Sequence, residues 1–218
     1  MDFSQARKNM VDGQLTPNKI TNNALIKSFL NIPREAFVDV ANKHAAYVDS
    51  PTRVSSSREM FSPLVCAHLL QSLDLTETDN VLVVASSSGY TASILCGLVN
   101  NVYGVEDDLS LLEMARRALL DASCKGVTLC EGAPSKGLEE KAKFDKIMID
   151  VPVEFIPDSL LNQLVEGGKV AAVVKNKFDI YTLKVFTKLN NVLTSKSIRE
   201  VVSMPVHKGF KKKEEFSL

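Results

Sequence analysis

The small residues Ser86-Ser87-Ser88-Gly89 follow directly on the apolar run Val81-Leu82-Val83-Val84-Ala85, and a single acid, Glu106, closes the next apolar run 21 residues after Ala85. Small side chains let a backbone pass close to a ligand, and the free N–H groups of a helix start can meet its polar atoms. An acid at the end of the second strand can accept both hydroxyls of a ribose, which is why this spacing recurs in nucleotide-binding folds. Each feature has an ordinary reading as well. Tight strand-to-helix turns need small residues anyway, and Glu106, followed by Asp107 and Asp108, also suits a solvated strand end. Taken together and in this order, they favour a nucleotide. A dinucleotide fingerprint calls for G-x-G-x-x-G, and Gly89 is the lone glycine of this turn, so NAD is open but disfavoured.

The elements that must hold these residues can be read from periodicity. Val81–Ala85 is a continuous valine-rich run, the mark of a strand covered on both faces. The spacing predicts a helix over Thr91–Val99, a strand over Asn101–Glu106, a helix over Leu109–Leu120 and a strand over Val127–Cys130. A fourth strand is expected at Phe144–Val151. A helix then runs over Ser159–Val165, closed by Gly167-Gly168, and a fifth strand covers Lys169–Val174. Alternating strands and helices require right-handed crossovers and a parallel sheet, hence a doubly wound α/β fold. Residues 176–218 are expected to supply the last antiparallel strands, with Ser197–Met204 the best candidate.

Ahead of the sheet the pattern is helical. Phe3, Ala6, Met10 and Leu15 share a face, Thr16-Pro17-Asn18 breaks it, and Thr21 is the expected cap of a second helix that stops at Ile32-Pro33. Residues 48–62, with Pro51 and Ser55-Ser56-Ser57, read as a loop; from Pro63 a helical stripe returns with Leu64, Ala67, Leu70 and Leu73. Residues 1–75 are therefore assigned as an N-terminal helical extension with a substrate-side loop, and 76–218 as the α/β domain, in one compact unit.

Composition narrows the function classes. Of 218 residues, 45% are apolar, enough for a full core. Lys+Arg and Asp+Glu are 26 each, which argues against a dedicated nucleic-acid binder. Lys211-Lys212-Lys213 beside Glu214 and Glu215 reads as a solvated tail. Cys66, Cys96, Cys124 and Cys130 form no C-x-x-C pair, and His44, His68 and His207 show no ligand spacing with them. Buried reduced thiols are expected, and no metal. No apolar leader opens the chain and no stretch is long enough to span a bilayer, so a soluble protein of a reducing, cytoplasmic compartment is expected.

Several motifs carry a more specific resemblance. Arg7-Lys8-Asn9-Met10-Val11-Asp12-Gly13-Gln14-Leu15 followed by Ile20-Thr21 resembles the opening of the protein-L-isoaspartate O-methyltransferases. Ile32-Pro33-Arg34-Glu35-Ala36-Phe37-Val38 is similar to that family's V-P-R-E-A-F-V, and Ala46-Tyr47 follows it. Val81 to Tyr90 aligns with its V-L-E-I-G-T-G-S-G-Y. Phe144-Asp145-Lys146-Ile147, Ile156-Pro157, Leu160-Leu161-Asn162-Gln163-Leu164 and Glu166-Gly167-Gly168-Lys169 follow its later motifs, so that the likeness spans about residues 5–174. The resemblance implies a seven-stranded, mostly parallel sheet of the Rossmann-like methyltransferase type and S-adenosylmethionine (SAM) as cofactor. It further implies methyl transfer to the α-carboxylate of L-isoaspartyl residues in a protein or peptide, after which the ester collapses to a succinimide. That carboxylate is already a nucleophile, so positioning matters more than acid–base help.

The resemblance also assigns residues. SAM is expected at Ala85, Ser86, Ser87, Gly89 and Glu106, with Gly132 and Ala133 at the adenine side. Two family glycines are replaced here, mildly by Ala85 and more consequentially by Ser87 if that position needs a positive φ. Ala133 stands where the family has an acid for the adenine amine. In the substrate loop, which the family writes Q-[TS]-[IV]-S-x-P, this chain reads Arg58-Glu59-Met60-Phe61-Ser62-Pro63. Phe61 takes the serine position and cannot hydrogen-bond a carboxylate; Ser62, one residue along, is the substitute hydroxyl if the loop shifts. The other expectation for such a chain is a catalytically silent or re-targeted relative that binds a protein or nucleotide without isoaspartyl turnover.

Overall fold

The computed structural model describes residues 1–190 and 192–212, so that Lys213, Glu214 and Glu215 of the charged run lie outside them. Asp2 opens helix α1 (Phe3–Met10) by accepting the Gln5 N–H at 3.0 Å. The helix widens into a π turn over Val11–Leu15, burying Val11 and Leu15, and a 3₁₀ turn (Thr16–Asn18) ends at Lys19 in the left-handed region. Helix α2 (Asn23–Asn31) is capped by Asn22, one residue after the expected Thr21, because the Asn22 Oδ1 accepts the Leu25 N–H at 3.0 Å. It stops where Pro33 forces Ile32 out of the helical region, to ψ 120°.

Residues 48–62 are not a bare loop. They carry a short antiparallel hairpin, β1 (Thr52–Arg53) with β2 (Glu59–Met60), paired Thr52 to Met60 and Arg53 to Glu59. Helix α3 (Pro63–Ser72) follows, with Ser62 as its cap and Pro63 in its first turn, where a missing N–H costs nothing.

The main sheet has seven strands: β3 (Asn80–Val84), β4 (Asn101–Glu106), β5 (Val127–Glu131), β6 (Phe144–Ile149), β7 (Leu164–Lys175), β8 (Tyr181–Leu189) and β9 (Val192–Val201), in the order β5-β4-β3-β6-β7-β8-β9. Strands β5 through β7 are parallel, and β8 and β9 add as an antiparallel hairpin. Helices α4 (Tyr90–Leu95), α5 (Leu109–Asp121) and α6 (Asp158–Asn162) make the crossovers. This is the doubly wound, mostly parallel seven-stranded α/β sheet that the alternation and the resemblance imply. Val81 and Val83 join one apolar layer with Phe29, Phe37 and Leu70; Leu82 and Val84 join the other with Ile147, Leu160 and Phe210. The sheet is thus covered on both faces, and the N-terminal extension supplies much of one cover.

Three boundaries differ from the periodicity. Helix α4 ends at Leu95 because Cys96 turns to ψ 122°. Helix α6 ends at Asn162, and strand β7 already begins at Leu164. Its register against β6 shifts between the pairs Phe144–Leu164 and Lys146–Lys169, so Gly167, at φ 77°, serves a bulge and not a helix end. The antiparallel strands lie at 181–189 and 192–201, ahead of the Ser197–Met204 expectation, and residues 202–212 run back over the sheet, where Phe210 is buried and its carbonyl accepts the Glu154 N–H at 3.0 Å. All four cysteines are free thiols, but Cys66 alone is fully buried.

Candidate functional site

The strand order reverses beside β3, which has β4 on one side and β6 on the other. Ligands of open parallel sheets bind beyond the carboxyl ends of the strands at such a point. Ala85–Gly89, Glu106 and Asp150 all stand there, after β3, β4 and β6 respectively. Gly132 joins them, since its N–H donates to the Glu106 carbonyl at 3.0 Å. Ala133, the next residue, is exposed.

The turn after β3 folds through three left-handed residues: Ala85 at φ 55°, Ser87 at 52° and Gly89 at 86°. Its path is held by the Ser86 N–H on the Val105 carbonyl (3.0 Å) and the Gly89 N–H on the Ser86 carbonyl (2.9 Å). Ser87 therefore does sit where glycine is preferred, and so does Ala85, whose replacement of glycine looked the milder. Each non-glycine residue in this region costs about 1–2 kcal/mol. Gly89 is irreplaceable on packing grounds as well: a Cβ there would lie 2.9 Å from the Ala115 Cβ of α5.

Glu106 is fully buried and saturated with donors. Its Oε2 accepts the Ser87 N–H at 2.7 Å, and its Oε1 accepts the N–H groups of Asp107 and Asp108, each at 3.1 Å. Arg58 of the hairpin completes the set with two parallel bonds, Nη1 to Oε2 and Nη2 to Oε1, both 3.0 Å. Burial raises the Glu106 pKa, against the pull of the Arg58 guanidinium and of the Ser87 and Asp108 N–H groups. Arg58 also reaches the Asp107 Oδ1 at 3.4 Å, and His207 and Lys208 close on the same carboxylate at 3.3 and 3.2 Å. Burial would raise Asp107, but Lys208 and His207 hold it below its usual range. His207 itself is lowered, first by burial and then by Arg58. Above these groups lies a cleft of about 390 Å³ whose walls include Arg53, Arg58, Asp108, Val151, Met204 and Lys208.

Asp150 is buried, and its N–H donates to the Val84 carbonyl at 2.9 Å. Burial pushes its pKa up to about 7, although Thr91, Arg34 and Arg58 all oppose this. Its Oδ1, together with the Oγ atoms of Ser86, Ser87 and Ser88, is buried without a hydrogen-bond partner. Buried oxygens without partners are costly. A row of them at the switch point suits a polar ligand rich in donors, which SAM is, with its ribose hydroxyls and its ammonium group.

Sequence reasoning brought Ala85, Ser86, Ser87, Gly89, Glu106 and Gly132 to one place. Ser62 sits elsewhere: its Oγ accepts the Val65 N–H at 3.3 Å as the α3 cap, and with Phe61 it lines a separate groove of about 340 Å³ beside Arg199. Phe61 is buried, and its carbonyl accepts from Arg34 Nη2 at 2.5 Å. Arg34 also donates from Nε to the Ala46 carbonyl (2.7 Å) and lies 4.7 Å over the Tyr90 ring, so one buried guanidinium ties the extension, the hairpin and the turn together. Arg58 and Arg34, like Asp150, carried no role in the sequence reading. The Pro33-Arg34-Glu35 motif was a signal for Arg34; nothing near Arg58 in sequence pointed to Glu106.

Comparison with known proteins agrees with this geometry. A family profile, Protein-L-isoaspartate(D-aspartate) O-methyltransferase, matches residues 5–211. The Protein-L-isoaspartate O-methyltransferase of Geobacter metallireducens is 35% identical over 179 residues, 82% of this chain and 83% of the relative. That of Photobacterium profundum is 30% identical over 209 residues, 96% of this chain and 99% of the relative. Among solved structures, a protein-L-isoaspartate O-methyltransferase superposes with a TM-score of 0.81 at 21% identity, covering 94% of this chain and 67% of its own. A Plasmodium falciparum protein assigned to the same class, solved with S-adenosyl-L-homocysteine, gives 0.78 at 17% identity, covering 95% and 99%. At such identities the structural likeness speaks for the fold.

Proposed function

Because this chain belongs to the protein-L-isoaspartate(D-aspartate) O-methyltransferase family, we propose that it transfers the methyl group of SAM to the α-carboxylate of L-isoaspartyl residues in proteins or peptides. The observation that carries the reading is the convergence of the left-handed turn 85–89 with Glu106 at the switch point of the sheet. SAM supplies an electrophilic sulfonium methyl. Ala85, Ser86, Ser87, Gly89, Glu106, Gly132 and Ala133 are the residues proposed to hold it, with Glu106 on the ribose.

The protein's remaining task is placement. The substrate carboxylate attacks without a general base, so rate depends on holding it in line at near-attack distance. The cleft beside Glu106 is lined by both signs, Arg53, Arg58 and Lys208 against Glu59, Asp107 and Asp108, and its guanidinium groups are the ones suited to an acidic group. Burial, and then Arg58, lower the His207 pKa and so disfavour its charged form beside the cleft. We assign residues 1–75 to the substrate side and 76–218 to the cofactor domain. Polypeptides, not nucleic acids, are the proposed partners, in keeping with the balance of 26 basic and 26 acidic residues. A cytoplasmic location accords with the described helices, none of which is long and apolar enough to cross a membrane.

The test is incubation with methyl-labelled SAM and an isoaspartyl peptide, alongside calorimetric titration of SAM. Transfer to the isoaspartyl peptide and none to its aspartyl counterpart is the expected result. A silent relative, the reading that draws on buried Phe61 at the loop-serine position, would bind SAM and transfer nothing.

A further inference from the structure

The Glu106 carboxylate, expected to accept ribose hydroxyls, is already full. A carboxylate offers about four lone-pair sites, and five donors converge on this one: Ser87, Asp107 and Asp108 through their N–H groups and Arg58 through two guanidinium nitrogens. The three backbone donors belong to the frame of the site. Arg58 does not: it rides on the β1–β2 hairpin, whose strands are two residues each and whose tip, Ser55–Ser57, is partly solvent-exposed. The Val54 and Ser55 N–H groups close the hairpin on itself at the Arg58 carbonyl, at 3.0 and 3.2 Å, while buried Val54 and Met60 anchor its strands in the core. With the strands anchored, the part free to move is the exposed tip and the Arg58 side chain beside it.

We infer that Arg58 is a two-position residue: paired with Glu106 it closes the cofactor site, and displaced from Glu106 it turns into the adjoining cleft and binds the carboxylate of the substrate. The second position answers a gap in the loop. Phe61, where the family places its hydroxyl, is buried with its carbonyl committed to Arg34, and Ser62 is committed to capping α3. Arg58 lies three residues before Phe61, already lines the cleft with Arg53 and Lys208, and already grips a carboxylate bidentately. A guanidinium fork suits one carboxylate as well as another. Cofactor and substrate then bind in order, because the ribose must free Arg58 before the substrate can use it.

This inference rests on the proposed isoaspartyl activity for its second position and not for its first. The first is tested by titrating S-adenosyl-L-homocysteine into the wild type, Arg58→Ala and Arg58→Met. If the free protein is closed in nine molecules of ten, removing the gate tightens binding about tenfold. Affinity equal to or weaker than wild type in both variants, with melting curves showing that each is folded, overturns the gate. Backbone exchange adds a second measure: the Val54 and Ser55 amides should exchange faster in the wild type once S-adenosyl-L-homocysteine is bound, and unchanged exchange overturns the displacement. For the second position, the isoaspartyl peptide KM should rise roughly tenfold or more in Arg58→Ala, whereas the inhibition constant of the α-carboxamide peptide, which binds without a methyl acceptor, should rise less. An unchanged KM in a variant that still transfers methyl overturns the carboxylate role. A wild type that transfers nothing overturns the proposed function and that role with it, while the titrations still decide the gate.

Discussion

Removing the Glu106 side chain as Glu106→Ala would leave the Arg58 guanidinium, 8% exposed, without its partner at the edge of the cleft, and would take the acceptor from the Ser87, Asp107 and Asp108 N–H groups. Because Arg58 can turn into the cleft, losing the pair costs about 2 kcal/mol, less than the full penalty of a trapped buried charge. The Asp107 and Asp108 donors are near water and lose little; the Ser87 donor is buried and loses more. A destabilisation of about 4 kcal/mol is expected, or roughly 10 °C in Tm for a chain of this length. Arg58→Met keeps the volume of the side-chain stem and leaves Glu106 its three backbone donors, so about 1–2 kcal/mol is expected. In the double variant neither charge remains, and its loss should fall short of the sum by about 2 kcal/mol or more. Urea unfolding without ligand, followed by far-ultraviolet circular dichroism, measures the cycle; the chain has no tryptophan to serve as a fluorescent reporter. The m-value should stay constant across the four proteins. Additivity within about 0.5 kcal/mol would refute the pairing and with it the closed site.

Other substitutions probe the surroundings. Ser87→Gly should stabilise the protein by about 1 kcal/mol, because it relieves a serine held at φ 52°; a loss of stability in the same urea assay would contradict the left-handed turn. Asp150→Asn tests the buried acid. Its folded pKa of about 7 against an ordinary 3.8 means that the fold prefers the protonated form. Stability from this group is greatest below pH 4 and declines as pH rises to 7, by at most about 4 kcal/mol. The asparagine variant should therefore gain on the wild type across that window and hold its advantage at pH 8, as urea midpoints from pH 4 to 8 would show. A constant difference would place Asp150 in a wetter setting. Ser62→Ala removes the α3 cap and should cost about 1 kcal/mol. Methyl transfer per folded molecule should be unaltered, because that hydroxyl is spent on the Val65 N–H; a large fall in kcat would return Ser62 to the chemistry.

The frame of this protein was legible in its sequence because that frame is local. A valine-rich run covered on both faces, a turn of small residues, a helix and a strand ending in Glu106 each declare themselves within ten or so residues, and the doubly wound sheet follows from their alternation. The loop 48–62 hid a hairpin because strands of two residues leave no period to read. The end of helix α6 and the start of β7 were misplaced because the pattern Leu160-Leu161-Asn162-Gln163-Leu164-Val165 continues the helical period, and pairing of Leu164 against Phe144 decided for the strand.

What only the tertiary structure decided is the state of the site. Ala85 and Ser87 are tolerated at positive φ because the Val105 carbonyl and the packing of α5 hold the turn in place, and no local preference of alanine or serine foretells that. The partner of Glu106 stands 48 residues away on another element. That pairing depends on where Arg34, buried beneath the extension, pins the Phe61 end of the hairpin over the sheet. Residue types and their spacing determined that a carboxylate would wait at the end of β4. Only the folded chain, by burying that carboxylate against its own arginine, decided what it binds first.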